Sequence, residues 1–234
     1  MKYFLVYLLL LPFGIAFGQL PGYAGKKTVL SVEVFGYPAI GNYLNYRKVP
    51  GFENGIGLNA RSSIQIERIV SRTASIGVAV GKFNTTAFYS YSLANNTESI
   101  GKLSLNATPI HGFVRLYDLK NFGSLAPMGV YHQIDVFFIP YHIRDITGKL
   151  DPTSIGKTLN YTDIGTAYTL GIQRVFAGSF TYDVGLQVGL PLDLVSSKFG
   201  LSESTTLDDM HSRGAARVLF HYLFNIKAGI GWVF

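Results

Sequence analysis

The chain has 234 residues, of which 48% are hydrophobic and 15% are charged, with a formal net charge of +6. It contains no cysteine, which excludes a small secreted domain held together by disulfides. The 20 lysine and arginine residues are scattered along the chain, so the positive charge does not indicate a nucleic-acid surface.

The first 18 residues predict a cleaved signal peptide. Met1 and Lys2 form a short basic start, residues 3–17 are almost wholly apolar, and Ala16 and Gly18 supply the small residues of a cleavage site. The apolar run is shorter than the roughly 20 residues of a spanning helix, which disfavours the alternative of an uncleaved anchor. We expect residues 19–234 to form one mature domain.

Hydrophobic and polar residues alternate in eight segments after the signal peptide. The clearest is 56–67, where Ile64 and Ile66 alternate with Gln65 and Glu67. The others lie near 30–34, 75–81, 103–116, 133–138, 168–173, 183–190 and 220–234. A period of two predicts strands with unlike faces. A hydrophobic exported chain without a spanning helix favours a closed barrel, because closure pairs every backbone polar group.

The fourth segment changes phase. Its apolar residues are Leu103, Leu105 and Ala107 before Pro109, and Ile110, Val114 and Leu116 after it. A proline cannot donate to a strand ladder and is tolerated at a bulge. We therefore expect a β-bulge at Pro109.

The connections between the predicted strands alternate in length. They are long near 37–53, 84–98, 142–158 and 193–212, and short near 69–74, 118–126 and 176–180. Long extracellular loops and short periplasmic turns are typical of outer-membrane barrels. The sequence thus predicts an all-β fold, an eight-stranded antiparallel up-and-down transmembrane β-barrel. A water-soluble sandwich or lipocalin-like barrel is the alternative.

The last segment ends the chain on an aromatic residue. Lys227, Gly229, Trp232 and Phe234 form a pattern that resembles the C-terminal signal by which the barrel-assembly machinery recognises outer-membrane barrels. We expect an unbroken strand over 220–234, with Phe234 as its final lipid-facing residue. We also expect this strand to close the barrel against the first, around 28–36. An ordinary edge strand is the alternative.

Two short stretches carry a family resemblance. Residues 22–27, GYAGKK, and 123–131, GSLAPMGVY, resemble the entry segment and the central turn of an outer-membrane β-barrel family abundant in Bacteroidota. Gln19, directly after the cleavage site, is also frequent there. The overall layout is similar to the small barrels of the OmpA and OmpX type. The resemblance implies the outer membrane of a Gram-negative bacterium, no appended periplasmic domain and no shared catalytic residues.

An eight-stranded barrel has an interior just wide enough to be filled by side chains. Polar residues on the predicted inner faces are Glu33, Arg61, Gln65, Glu67, Arg115, Gln133, Asp135, Gln187 and Lys227. Both signs of charge are present, and buried charges must be paired. The sequence therefore predicts a salt-bridged polar plug rather than an open pore.

Two clusters on predicted loops contain residue types used in catalysis. One is His142, Arg144 and Asp145, and the other is Asp208, Asp209 and His211 with Ser202, Ser204 and Ser212 nearby. A carboxylate can orient an imidazole as a base, which leaves a loop-sited hydrolase or acyltransferase as an alternative. Such clusters are ordinary loop composition, so we expect no enzymatic activity, no catalytic residue, no metal site and no cofactor.

The leading functional interpretation is a non-enzymatic outer-membrane barrel with an envelope role or a loop-presented interaction. Predicted loop aromatics supply contact area for a protein partner: Tyr37, Tyr43, Tyr46, Phe52, Phe88, Tyr89 and Tyr91. Basic residues near strand ends suit lipid and lipopolysaccharide phosphates. A narrow channel or transporter for small solutes is the alternative.

Overall fold

A computed structural model describes residues 25–39, 57–92, 98–118, 126–147, 158–192, 218–219 and 221–234. The predicted signal peptide lies outside the described residues. Nine strands lie within them: β1 Thr28–Ala39, β2 Gly57–Ile69, β3 Ala74–Ser92, β4 Glu98–Ala107, β5 Ile110–Tyr117, β6 Gly129–Asp145, β7 Thr158–Phe176, β8 Phe180–Pro191 and β9 Asn225–Val233. No helix among these residues is long and apolar enough to cross a membrane.

The strands form one closed antiparallel ring. β4 and β5 are successive parts of a single barrel strand, because both pair with β3 on one side and with β6 on the other. The last strand closes on the first, from Val29 opposite Val233 to Gly36 opposite Ile226. The backbone N–H groups of Phe234 and Thr28 each donate to the other residue's carbonyl, at 2.9 and 3.0 Å. The predicted eight-stranded barrel and its closure are confirmed.

The barrel has two unlike ends. The turn end carries the chain ends of the ring, Thr28 and Val233, with the connections 70–73, 118–128 and 177–179. The loop end carries the connections 40–56, 93–97, 146–157 and 192–224. In the turn 177–179, Ala177 and Gly178 have positive φ angles of 47° and 74°, a conformation that glycine adopts without strain.

The predicted bulge at Pro109 is wrong. Ala107 lies opposite Tyr141 and Ile110 lies opposite Phe138, so each strand advances by three residues and none is inserted. Pro109 interrupts the ladder only because it has no N–H to donate. Inward and outward residues continue to alternate through 103–117. The apolar residues change face at Pro109: Leu103 and Leu105 point into the barrel, whereas Val114 and Leu116 point out of it.

Two predicted long loops are largely strand. β3 continues to Ser92 and β4 begins at Glu98, which leaves the connection 93–97 in place of 84–98. Likewise β6 continues to Asp145. Polar residues suggested loops, yet Asn84, His142 and Arg144, whose side chains the structure describes, occupy the outward face of strands. Phe88, Tyr89 and Tyr91 therefore lie on β3, and Tyr37 lies on β1 with its side chain buried.

The predicted final strand is shorter than the sequence pattern indicated. β9 begins at Asn225, and residues 218–219 and 221–223 are helical. Val218 and Tyr222 are 0% exposed and pack inside the barrel, so the expectation that alternation runs unbroken from residue 220 is wrong. Val218 and Tyr222 pack into the apolar interior near the loop end. The free energy gained by burying these two side chains outweighs the backbone pairing that a longer strand would make.

The polarity of the wall inverts along the barrel axis. Near the turn end the outer face is apolar, as at Val78, Val114 and Ile134, which are 46–58% exposed. Beyond the level of Pro109 the outer face is polar and the inner face is apolar, with Leu103, Leu105 and Ile143 each 1% exposed. We call the first region the belt. We call the second the ridge, made of residues 82–86, 101–107, 139–145 and 158–164 of β3, β4, β6 and β7.

Candidate functional site: the filled interior of the barrel

The structure places every predicted lumen residue inside the barrel. The side chains of Glu33, Arg61, Gln65, Glu67, Arg115, Gln133, Asp135, Gln187 and Lys227 are each at most 3% exposed. They come from six strands, β1, β2, β5, β6, β8 and β9, and they face inward because inward positions recur at every second residue of a strand. What they do for the protein remains a prediction.

Arg115 is the centre of the polar cluster near the turn end. Its guanidinium donates to Glu67 Oε2 at 2.9 Å, to Gln133 Oε1 at 2.9 and 2.7 Å, and to Gln173 Oε1. Asp183 Oδ2 lies 3.3 Å from Nη2, and the guanidinium carbon lies 4.1 Å from the centre of the Tyr131 ring. This planar cation thus meets acceptors at its edge and an aromatic ring on its face.

Lys227 supplies the second cation of the cluster. Its Nζ atom lies 2.8 Å from Glu33 Oε1 and 3.1 Å from Asp183 Oδ2. Asp183 also accepts from the Tyr131 hydroxyl at 2.6 Å. The carboxylates of Glu33 and Asp183 are therefore each paired with a cation, as buried charges require.

Neutral side chains complete the cluster. With its amide nitrogen facing Glu33, Gln65 donates to Glu33 Oε1 at 3.0 Å and accepts from Arg115 Nη2 at 3.2 Å. The Tyr117 hydroxyl lies 2.8 Å from both Glu67 Oε1 and Gln173 Oε1. This network joins seven strands, β1, β2, β5, β6, β7, β8 and β9, and so links the wall of the barrel from within.

Arg61 lies between the polar cluster and the apolar interior. Its guanidinium is sandwiched by the rings of Phe35 and Tyr222, with 4.1 Å to each ring centre. Its Nη2 donates to Gln187 Oε1 at 2.7 Å, and Gln187 donates onward to Thr169 at 3.3 Å. The cation is thus held mainly by aromatic faces.

The interior near the loop end is apolar and aromatic. Its buried members are Phe83, Leu103, Leu105, Ala107, Phe137, Ile139, Tyr141, Ile143, Ala167, Val218 and Tyr222. The Tyr222 ring stacks on Phe137 at 4.2 Å, and its hydroxyl lies 3.1 Å from His111 Nε2. Inward glycines make room for large rings, as at Gly165, where an added Cβ would lie 2.4 Å from the Phe137 ring.

Sequence reasoning missed several members of the interior. Asp183, Gln173 and Thr169 stand at inward positions of β7 and β8, so strict alternation could have found them. Leu105 and Ile139 could not be found in this way, because an apolar residue gives no sign of facing the interior. The predicted strand over 220–234 puts Tyr222 on the outer face, in phase with Phe234, whereas Tyr222 is 0% exposed inside the barrel.

The predicted catalytic cluster at residues 142–145 is not assembled. His142 lies on the outer face of β6, with its Nδ1 2.6 Å from Asn160 Oδ1. Asp145 is 3% exposed and faces the interior, so the imidazole and the carboxylate lie on opposite faces of one strand. The residues around His211, with Ser202, Ser204 and Ser212, lie outside the described part. Within that part, no group of three or more His, Asp or Glu residues is placed to bind a metal ion.

The four residues of the predicted assembly signal lie on or directly after β9. Lys227 is buried inside, Gly229 is on the inward face against Glu33, and Trp232 and Phe234 are 52% and 50% exposed on the outer face. The two aromatic rings are 5.5 Å apart. They form part of the outer rim at the turn end, and their recognition by the assembly machinery stays a prediction.

No protein-family model matches the sequence, and a comparison with curated proteins gives no match. Solved structures that are similar include the attachment invasion locus protein Ail of Yersinia pestis in complex with the heparin analogue sucrose octasulfate, at 8% identity and a TM-score of 0.43. Ail is also similar in a second structure, at 8% identity and a TM-score of 0.40. The N-terminal β-barrel domain of Pseudomonas aeruginosa OprF is similar at 10% identity and a TM-score of 0.37. Each comparison covers 89% of this chain and 99% of the other. At these values, the assignment of the fold rests on the strand pairing of this chain itself.

Proposed function

We propose that the chain is an integral outer-membrane barrel protein that anchors a rigid ridge beyond the membrane on its loop side. The observation that carries this proposal is the inversion of wall polarity between belt and ridge. Ile64, Val136 and Ile230 of the belt are 61%, 58% and 70% exposed. An apolar surface that runs around a closed barrel suits lipid, where unpaired strand edges are not tolerated.

Strand lengths support an extension into water. A strand needs about 9–11 residues to cross a bilayer, whereas β3 and β7 have 19 residues and β6 has 17. An excess of about eight residues reaches about 20 Å further at the usual rise and tilt. The outer face of this extension is polar, as expected for a wall in contact with water.

The filled interior supports a barrel that does not conduct. Arg115, Glu67 and Lys227 are 0% exposed, although a continuous water passage would expose the side chains along it. A structural role, with the ridge and its connections presented to a partner at the cell surface, fits this interior better than transport does. The separation of His142 from Asp145 favours the non-enzymatic interpretation.

The charge on the outer face supports contact with lipopolysaccharide. Lys82, Lys102 and Arg144 are exposed on the ridge, where phosphate groups of outer-leaflet lipid would lie. Long basic side chains can reach from the wall to such phosphates. The Bacteroidota origin, the signal peptide and the barrel-assembly machinery as partner stay predictions from the sequence.

Single cysteines can test this arrangement, because the chain has none of its own. We propose Asn84→Cys and Asn106→Cys on the outer face of the ridge, and Val78→Cys and Val136→Cys on the belt. In intact cells, a membrane-impermeant maleimide is expected to label the ridge pair and not the belt pair.

Equal labelling of both pairs in folded protein would contradict a membrane belt and support a soluble barrel. Labelling of the ridge pair only after the outer membrane is permeabilised would reverse the proposed orientation. Single-channel recording of the refolded wild-type protein is expected to show no steady conductance, and a stable conducting level would favour the channel alternative.

A further inference from the structure

The belt contains a groove on its outer face across β2, β3, β5 and β6. Its volume is about 970 Å³. The lining is mostly apolar and includes Ile66, Val78, Val114 and Val136, with Gly112 between them and Arg68 at one end. Elsewhere the belt is covered by large side chains such as Ile64 and Leu186. The groove is therefore a local concavity beside larger side chains on the outer face of the belt.

Gly112 is the cause of this concavity. It occupies an outward position of β5, directly between Val78 of β3 and Val136 of β6. A Cβ added at Gly112 would meet nothing within 4 Å, so close backbone packing does not require the glycine. Space that a side chain would fill is left open between two valines.

A cation stands at the turn end of the groove. Arg68 is the next outward residue of β2 after Ile66, and its Nη1 donates to Thr28 Oγ1 at 2.8 Å. This bond positions the side chain at the rim of the belt, and a guanidinium has five N–H donors in all. Its fork geometry suits a phosphate group, which accepts two parallel hydrogen bonds.

On the outer face of the wall, the charged strand side chains that the structure describes are basic. Among strand residues whose side chains the structure describes, the acidic ones, Glu33, Glu67, Asp135, Asp145, Asp163 and Asp183, are all buried inside. The exposed charged residues in the same set, all on the outer face, are Arg68, Lys82, Lys102, Arg144 and Arg174. An anion at Arg68 therefore meets no described strand carboxylate on the outer surface.

We propose that the groove is a binding site for one phospholipid of the leaflet at the turn end, with an acyl chain against Gly112 and the phosphate at Arg68. In a bilayer, association with an apolar wall depends on packing, because lipid tails are already apolar. A concavity gives an acyl chain contacts on three sides, and the cation at its end selects a lipid with a phosphate. This site rests on the membrane location proposed above.

Native mass spectrometry of the refolded barrel in detergent tests the site. Dioleoylphosphatidylglycerol is the probe, and dioleoylglycerol is the comparison without a phosphate. We expect one dioleoylphosphatidylglycerol to be retained in preference to dioleoylglycerol. Arg68→Gln is expected to weaken this retention about tenfold, the size expected for charge-assisted hydrogen bonds, and Gly112→Leu is expected to weaken retention of both lipids by filling the groove.

Two matched variants serve as controls. Gly36→Leu alters another glycine where an added Cβ meets nothing within 4 Å, and Arg174→Gln removes another exposed outer cation; both are expected to retain lipid as the wild type does. If Gly112→Leu does not fold, Gly112→Val replaces it. Equal effects of test and control variants, equal retention of the two lipids, or a dimer that hides the groove would overturn the proposal. Heat-modifiable mobility of every variant in outer-membrane fractions tests the membrane location separately.

Discussion

The belt and the ridge are continuous in backbone and opposite in chemistry. Along β6, Ile134 and Val136 face outward at the belt, whereas His142 and Arg144 face outward at the ridge. The inward partners change in the opposite sense, from Gln133 to Ile143. The side-chain period of two is kept along β6 while the apolar face moves from outside to inside. In the proposed arrangement, the polarity of the outer face, rather than the backbone, marks where the membrane ends.

The two ends of β9 offer the largest test of this comparison. Phe234 at the turn end and Phe224 at the other end are 50% and 47% exposed. We expect Phe234→Asp, or deletion of residues 232–234, to leave export intact and to remove most of the assembled barrel. Trp232 and Val233 pair with β1, and Trp232 also pairs with β8, so the deletion shortens both ladders at the closing strand. Protease resistance and heat-modifiable mobility in the outer-membrane fraction measure assembly.

Phe224→Asp is the matched control for the tail, and its assembly is expected to stay close to that of the wild type. If the two aspartate variants assemble equally well, the tail is not an assembly signal.

Inside the belt, Arg115→Met is expected to have the next largest effect. The substitution removes the cation beside the buried carboxylates of Glu67 and Asp183. Loss of one partner of a buried ion pair lowers the free energy of unfolding by about 3–5 kcal/mol. The urea midpoint of folding in detergent, followed by heat-modifiable mobility, measures this change. Arg174→Met, which removes an exposed outer cation, is expected to shift the midpoint little. A small shift for Arg115→Met would show that the polar cluster does not stabilise the barrel.

The same arginine placed on the outer face of each region compares belt and ridge directly. Val136→Arg puts a charge into the belt and is expected to destabilise the barrel in lipid vesicles by about 2–4 kcal/mol. Asn106→Arg places the charge on the ridge, where surface substitutions usually change stability by less than about 0.5 kcal/mol. Folding titrations with urea in vesicles give both values. Equal costs would mean that the ridge also lies in lipid.

Two histidine–tyrosine pairs, one inside and one outside, give the smallest effect. In the interior, the Tyr222 hydroxyl lies 3.1 Å from His111 Nε2. On the outer face, the Tyr168 hydroxyl lies 2.5 Å from His132 Nδ1. Tyr222→Phe keeps the ring against Arg61 but removes the bond, and is expected to cost about 0.5–1.5 kcal/mol. Tyr168→Phe is expected to cost less, because Tyr168 is 45% exposed and a partner left unpaired outside the barrel costs less than one buried inside it. Urea titrations in detergent distinguish the two, and a larger cost outside would contradict the buried role of Tyr222.

The sequence by itself determined the closed barrel, its strand count and the inward positions of Arg61, Glu67 and Arg115. These features follow from alternation, which is local and can be counted along the chain. Closure follows from the expected membrane location, because a strand edge cannot stay unpaired in lipid.

Only the tertiary structure decided which face of the ridge is inner, why hydrophobicity changes phase at Pro109, and where Tyr222 lies. Alternation states that two faces differ, but it does not state which medium each face meets. The partners of the polar cluster were also beyond the sequence. Arg61 meets Gln187 across 126 residues, and Arg115 meets Gln173 across 58. Such contacts depend on the register and tilt of all the strands around the ring, which no single segment encodes.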